Sequence, residues 1–128
     1  DEEIKAGGLV RSLIREGKVA AVHDVSDGGL IVAVAEMALA GGCGVDLFPY
    51  EGKLPAHAVW FGEDQGRYVL SAAPGVAEEI VERARLLALP ARIVGKVDGT
   101  ALTLQGEAPL LLDKLRATHE AWLPRLMA

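Results

Sequence analysis

The 128-residue sequence predicts an α/β fold of the α+β type, a sandwich of helices on a mixed sheet. Three observations carry that expectation. Amphipathic helical stretches alternate with short β-like runs, the pattern of helices laid on a sheet. A nearly charge-free segment, Leu30 to Ala40, lies between glycine pairs and reads as a buried helix. Near the end, two β-like runs follow one another with only a short turn between them, which breaks a regular βαβ repeat and calls for a mixed sheet.

In chain order, the first element is a helix from about Glu2 to Glu16. Ile4, Leu9, Val10, Leu13 and Ile14 fall largely on one stripe, with Lys5, Arg11 and Arg15 off it. Gly17 stands where a left-handed C-terminal cap is wanted. Lys18 to His23 is the first strand, Gly28 to Ala40 the central helix ended by Gly41-Gly42, and Cys43 to Phe48 a second, weakly alternating strand. Pro49 to Pro55 reads as a loop, and Ala56 to Phe61 as an apolar helical turn. Val69 to Ala73 is a strand, and Pro74 opens a helix through about Ala88 with Val76, Ile80, Val81, Ala84 and Leu87 apolar. Ala91 to Val97 and Ala101 to Gln105 are β-like runs joined by Asp98-Gly99, a hairpin signal. The last helix runs from Pro109 to about Trp122, with Leu110, Leu111 and Leu115 on its apolar side, and Pro124 closes it.

Length and composition narrow the function. A chain of this size forms a single domain, residues 1–128, with a real core. No apolar run approaches the ~18 residues of a membrane span, and no signal-peptide pattern heads the chain, so a cytoplasmic location and no membrane partner are expected. The net charge is −5, with 13 Lys and Arg spread along the chain against 18 Asp and Glu, which argues against a nucleic-acid partner. The one cysteine, Cys43, excludes an internal disulfide and reads as a core residue of a protein in a reducing compartment. His23, His57 and His119 lack ligand-like spacing for zinc. Phosphate-loop, dinucleotide, zinc-protease and nucleophile-elbow motifs do not occur. The acidic start, Asp-Glu-Glu-Ile without an initiator methionine, suggests the C-terminal piece of a longer chain.

The chemistry concentrates around the central helix. His23, Asp24, Ser26 and Asp27 form a polar knot between an apolar strand and the glycines that open the helix. Ser26 or Asp27 can cap its first backbone N–H groups, and Gly28 and Gly29 leave those groups uncovered, which suits an anion. Asp24, at the strand end, could hold a divalent cation beside that anion. The alternative is that the aspartates only cap and the glycines only let helix and strand pack closely. Glu36, the only charge on the helix, is expected to be paired, with Arg67 or a backbone N–H as its mate.

The sequence His23-Asp24-Val25-Ser26-Asp27-Gly28-Gly29-Leu30 is followed by Ala35-Glu36-Met37-Ala38 and Gly41-Gly42-Cys43-Gly44. About forty residues after the first motif comes Phe61-Gly62-Glu63-Asp64-Gln65-Gly66-Arg67-Tyr68. Together they resemble the C-terminal domain of the phosphoribosylformylglycinamidine synthase family. That family belongs to the aminoimidazole ribonucleotide synthetase-like superfamily, with hydrogenase-maturation, selenophosphate and thiamine-phosphate kinase members. The resemblance covers nearly the whole chain.

The resemblance implies the C-terminal domain fold of that superfamily and a purine-biosynthetic, carbon–nitrogen-forming amidoligase. ATP and Mg2+ activate the formyl amide oxygen of formylglycinamide ribonucleotide, a small-molecule substrate, and glutamine-derived ammonia displaces phosphate. Its implied partners are N-terminal ATP-binding domains of the same chain and a glutaminase subunit or domain. The motifs resemble the second of two copies of the unit. By matching positions Asp24 stands at a metal-binding aspartate. Glu63, Asp64 and Gln65 stand at the first copy's substrate-binding segment; with Ser26, Asp27, Gly28 and Gly29 of the helix start and Arg67 they are the candidate phosphate- or substrate-binding residues. The second segment departs from the first copy's pattern: Asp64 replaces a serine, Gly66 a glutamate, and Gly62 the leading serine. A non-catalytic docking or auxiliary phosphate-binding module is the alternative, and the isolated domain is expected to be inactive.

Overall fold

The structure, a computed structural model, describes residues 1–25, 28–49, 67–104 and 107–118. The readings of 50–66 as a loop and an apolar turn, of Gln105 as a strand end, and of the chain beyond 118 lie outside these residues. The chain forms two compact units.

The first unit comprises Asp1–Ala33 and Leu54–Ile93. Its described elements are α1 (Glu2–Arg15), β1 (Ala21–Asp24), the start of α2 (Gly29–Gly41), β3 (Tyr68–Ser71) and α3 (Pro74–Leu86). Asp1 caps α1 by accepting a 3.1 Å hydrogen bond from the Glu3 N–H, and Glu2 and Glu3 complement the positive end of the helix dipole. The core takes less of the α1 stripe than the periodicity suggests. Val10 and Leu13 are buried, whereas Ile4 and Ile14 are exposed. β1 and β3 pair antiparallel, Ala21 opposite Ser71 through Asp24 opposite Tyr68. The first strand starts later than the apolar run suggested, because the Lys18 N–H is spent on the Leu13 carbonyl at the end of α1.

The second unit comprises Val34–Lys53 and Val94–Ala128. Its sheet has the order β4 (Gly95–Val97), β2 (Val45–Leu47), β5 (Ala101–Leu104), β6 (Leu110–Leu111). β2 runs antiparallel to β4 and parallel to β5, so the sheet is mixed as expected. Val45, Leu47, Leu102 and Leu104 share one face, on which Leu47 and Leu102 are buried.

The Asp98-Gly99 signal does not make a hairpin of its flanking strands. β4 and β5 lie on either side of β2. The turn is held instead by Gly44: the Asp98 N–H donates to the Gly44 carbonyl and the Gly44 N–H to the Gly99 carbonyl. Pro109 does not open the last helix either. Leu110 and Leu111 pair with β5 and are exposed, helix occupies 112–118, and the buried residue is Leu112.

Three helices end alike, each with a left-handed residue followed by an N–H that reaches five residues back. Gly17 precedes the Lys18 bond to Leu13, Gly42 precedes the Cys43 bond to Ala38, and Ala88 precedes the Leu89 bond to Ala84. The Arg116 guanidinium also donates to the Leu39 carbonyl, so α2 ends on a side-chain cation as well. No described helix is long and apolar enough to cross a membrane.

Candidate functional site

The strand pair of the first unit brings the two polar motifs together. Asp24 closes β1 and lies opposite Tyr68, and the ladder continues one step further, where the Val25 N–H donates to the Arg67 carbonyl at 2.9 Å. Val25 and Arg67 thus form a hydrogen-bonded pair, and Asp24 and Tyr68 a non-hydrogen-bonded pair whose side chains stand close together on one face. Two segments about forty residues apart in sequence become neighbours in space through this register. Tyr68, quoted in the motif without a role, is the residue beside the candidate metal ligand.

Asp24 is exposed, with 74% of its side chain accessible. His23 Nδ1 lies 2.6 Å from the Asp24 carbonyl oxygen. Since a carbonyl only accepts, Nδ1 carries the proton in this bond, which leaves Nε2 of a neutral ring as the acceptor. Among the described residues no three His, Cys, Asp or Glu side chains gather around one point. One accessible carboxylate still fits Mg2+, a cation that keeps several waters and binds through one or two carboxylates plus substrate phosphates.

Gly28 and Gly29 both adopt positive φ, +86° and +76°, at the start of α2. A Cβ on Gly28 would collide with the Val32 side chain, so glycine is required there by conformation and by space together. Among the predicted site residues, Asp24, Gly28, Gly29 and Arg67 are therefore set along the end of β1, the entrance of β3 and the start of α2. Ser26, Asp27, Glu63, Asp64 and Gln65 lie outside the described residues.

Two readings of side chains near this motif are corrected. Glu36 is exposed, not buried. α2 buries Gly29 and, at helical spacing, Leu30, Ala33, Val34 and Ala38, and Glu36 falls on the opposite side. Cys43 is exposed too, its thiol 3.5 Å from the Gly41 carbonyl. It follows the left-handed Gly42, where the chain has left the helix and not yet entered β2.

Fold and site define an α+β domain in which a glycine-opened helix starts beside the ends of a strand pair. The chain belongs to the family described as AIR synthase related protein, C-terminal domain, which matches residues 5–106. It is 48% identical over 126 residues to the phosphoribosylformylglycinamidine synthase subunit PurL of Methylocella silvestris, covering 98% of this chain and 17% of that one. The chain thus spans about a sixth of the length of that relative. Among solved structures it is similar to Thermotoga maritima PurL complexed with FGAR, with a TM-score of 0.76, 20% identity, and coverage of 88% of this chain and 20% of that chain. A second, the same protein complexed with ATP, has a TM-score of 0.73 at 20% identity and covers 86% and 21%. At that identity the likeness establishes the fold, which is the α+β architecture with a mixed sheet expected from the sequence.

Proposed function

We propose that this chain is the C-terminal domain of a phosphoribosylformylglycinamidine synthase. The whole protein is then an ATP- and Mg2+-dependent amidoligase of purine biosynthesis, which converts formylglycinamide ribonucleotide to the amidine with glutamine-derived ammonia. The observation that carries the reading is 48% identity to a synthase subunit over almost the whole of this chain. The juxtaposed motifs add chemical sense to it. Phosphoryl activation demands positioned phosphates and compensated charge rather than covalent help from the protein. Asp24 would hold the cation, which shields phosphate charge when bound. Gly28 and Gly29 would present backbone N–H groups to a phosphate, and Arg67 with Ser26, Asp27, Glu63, Asp64 and Gln65 would complete the polar rim.

ATP-binding domains of the same longer chain and a glutaminase, fused or separate, are the partners this reading requires, and its setting is the cytoplasm. The 128 residues form one folding domain and are inactive alone, because they supply only part of a phosphate site. Steady-state assays of the full-length protein test the proposal: ATP hydrolysis should depend on both formylglycinamide ribonucleotide and ammonia. Hydrolysis indifferent to the ribonucleotide would overturn it.

The second reading, an auxiliary phosphate or docking module, is favoured by the Gly28 geometry, which packing alone explains. Full-length protein carrying Asp24→Ala and Asp27→Ala separates the two. A loss of turnover per folded molecule beyond about a hundredfold, or about 2.7 kcal/mol of barrier, with unchanged thermal unfolding, identifies a working catalytic half. Lost stability or domain docking with smaller loss of turnover identifies the module.

A further inference from the structure

Two polar side chains converge over a glycine of α1, apart from the start of α2. A Cβ on Gly7 would lie 3.5 Å from a terminal guanidinium nitrogen of Arg11 and 3.7 Å from the Tyr68 hydroxyl. Both groups therefore border the same bare stretch of helix. Glycine in a helix interior costs about 1 kcal/mol relative to alanine, yet an alanine here would meet both groups only at ordinary contact distance. Packing among the described residues gives no reason for this glycine. Neither Arg11 nor Tyr68 makes a side-chain hydrogen bond or ion pair with another described residue, and both are exposed. Lys18, Arg83 and Arg85, by contrast, are each engaged by a carboxylate.

We propose that Arg11 and Tyr68 form a phosphoryl-binding subsite over Gly7. The guanidinium offers a forked set of N–H donors that matches phosphate oxygens, and the phenol adds an O–H donor. Charge-assisted bonds of about 2.8 Å let one tetrahedral anion accept from both groups. The bare Cα of Gly7 lets its oxygens approach the helix surface. Glu3 stands one turn before Gly7 on the same helix stripe, and Asp24 pairs with Tyr68 across the strands. Arg67 precedes Tyr68 and belongs to the same end of the strand pair. The subsite deepens the reading of this chain as part of a phosphate-handling enzyme, but its test does not pass through turnover.

Site-specific encoding of fluorotyrosine at position 68 of the full-length protein places a single fluorine reporter on that ring. Titration with inorganic phosphate at constant ionic strength, against chloride alone, should shift that signal saturably. Arg11→Gln should weaken the apparent affinity at least about tenfold, as expected for loss of a charge-assisted pair. Lys5→Gln, off the Glu3–Gly7–Arg11 stripe, should leave it unchanged. Circular dichroism checks the fold of each variant. Should Arg11→Gln lose helix, Arg11→Lys keeps the charge without the fork and should bind with intermediate affinity. No saturable shift, or an equal shift in the Arg11 variants, would overturn the subsite. Failure of the full-length turnover assay with an intact phosphate shift would instead count against the proposed reaction alone.

Discussion

Gly44 and the Asp98 carbonyl are in backbone contact: a Cβ on Gly44 would lie 2.5 Å from that oxygen and 2.6 Å from the carbonyl oxygen of Ala101. The turn between β4 and β5 folds over the start of β2, and β2 is thereby seated between them. Neither neighbour is the end of a flexible side chain, so an added methyl can be accommodated only by moving the turn. Gly44→Ala should therefore destabilise the second unit by about 3 kcal/mol, the upper part of the range for overpacking. Urea unfolding measures it, and a midpoint equal to the parent's would show that the turn is free to shift.

Ala88 is the one described non-glycine residue with positive φ, +57°, and it occupies the position filled by Gly17 and Gly42 at the other two helix ends. The left-handed region costs an L-residue roughly 1–2 kcal/mol, part of which a glycine returns as unfolded-state entropy. Ala88→Gly should stabilise the chain by about 0.5–1 kcal/mol. The reverse exchange at Gly17, where no described atom lies within 4 Å of the missing Cβ, should cost a similar amount through conformation alone. Thermal unfolding of the two variants checks the opposite signs.

Lys18 donates a 2.6 Å hydrogen bond to Glu79, and this bond holds the Glu79 carboxyl below its ordinary value of 4.5. Slight desolvation opposes that effect, and the nearby Lys18 and Arg83 charges reinforce it. A carboxyl lowered in the folded state binds its proton less readily there than in the unfolded chain. The contribution of Glu79 is thus fully present above pH 4.5 and is lost as the pH falls through the lower folded value. Comparing the parent with Glu79→Gln, the difference in melting temperature should be small near neutrality, shrink further in high salt, and vanish in acid. A difference that grew on acidification would contradict the assignment.

Much of the fold could be read in the sequence because glycine, proline and helical periodicity are local signals. Gly17 and Gly42 mark helix ends, Pro74 a helix start, and the apolar run an α2 that buries Leu30, Ala33, Val34 and Ala38. Strand order was not legible, since the insertion of β2 between β4 and β5 depends on Gly44 meeting a turn over fifty residues away. Leu110 and Leu111 continue a helix-like pattern after Pro109, yet pairing with β5 overrides it. For the site, residue types and chain order pointed to Asp24, Gly28, Gly29 and Arg67. The ladder register that joins Asp24 to Tyr68 and Val25 to Arg67 had no local signal. Glu36 is exposed because α2, though nearly charge-free, buries one side and not its whole circumference, a difference that composition does not carry.

Gly28 is where the packing and ligand explanations of the motif can be separated. Its φ of +86° is a conformation that L side chains rarely adopt, and a Cβ would approach Val32 Cβ to 2.9 Å and overlap its methyl group. Gly28→Ala should thus lose stability through two additive causes, about 1–2 kcal/mol from conformation and about 1–3 kcal/mol from the overlap. Val32→Ala removes the methyl overlap but keeps the Cβ contact at 2.9 Å, so it relieves only part of the second. In a double-mutant cycle the Val32→Ala change should recover about 1–2 kcal/mol of the loss, a coupling of the size found for residues in contact. Urea midpoints of the four proteins give the coupling directly. A clear coupling shows that glycine at this position serves the approach of Val32, and the start of α2 then needs no ligand to explain its sequence. Strict additivity, together with phosphate affinity lost in Gly28→Ala but kept in Val32→Ala, would assign Gly28 to the phosphate instead.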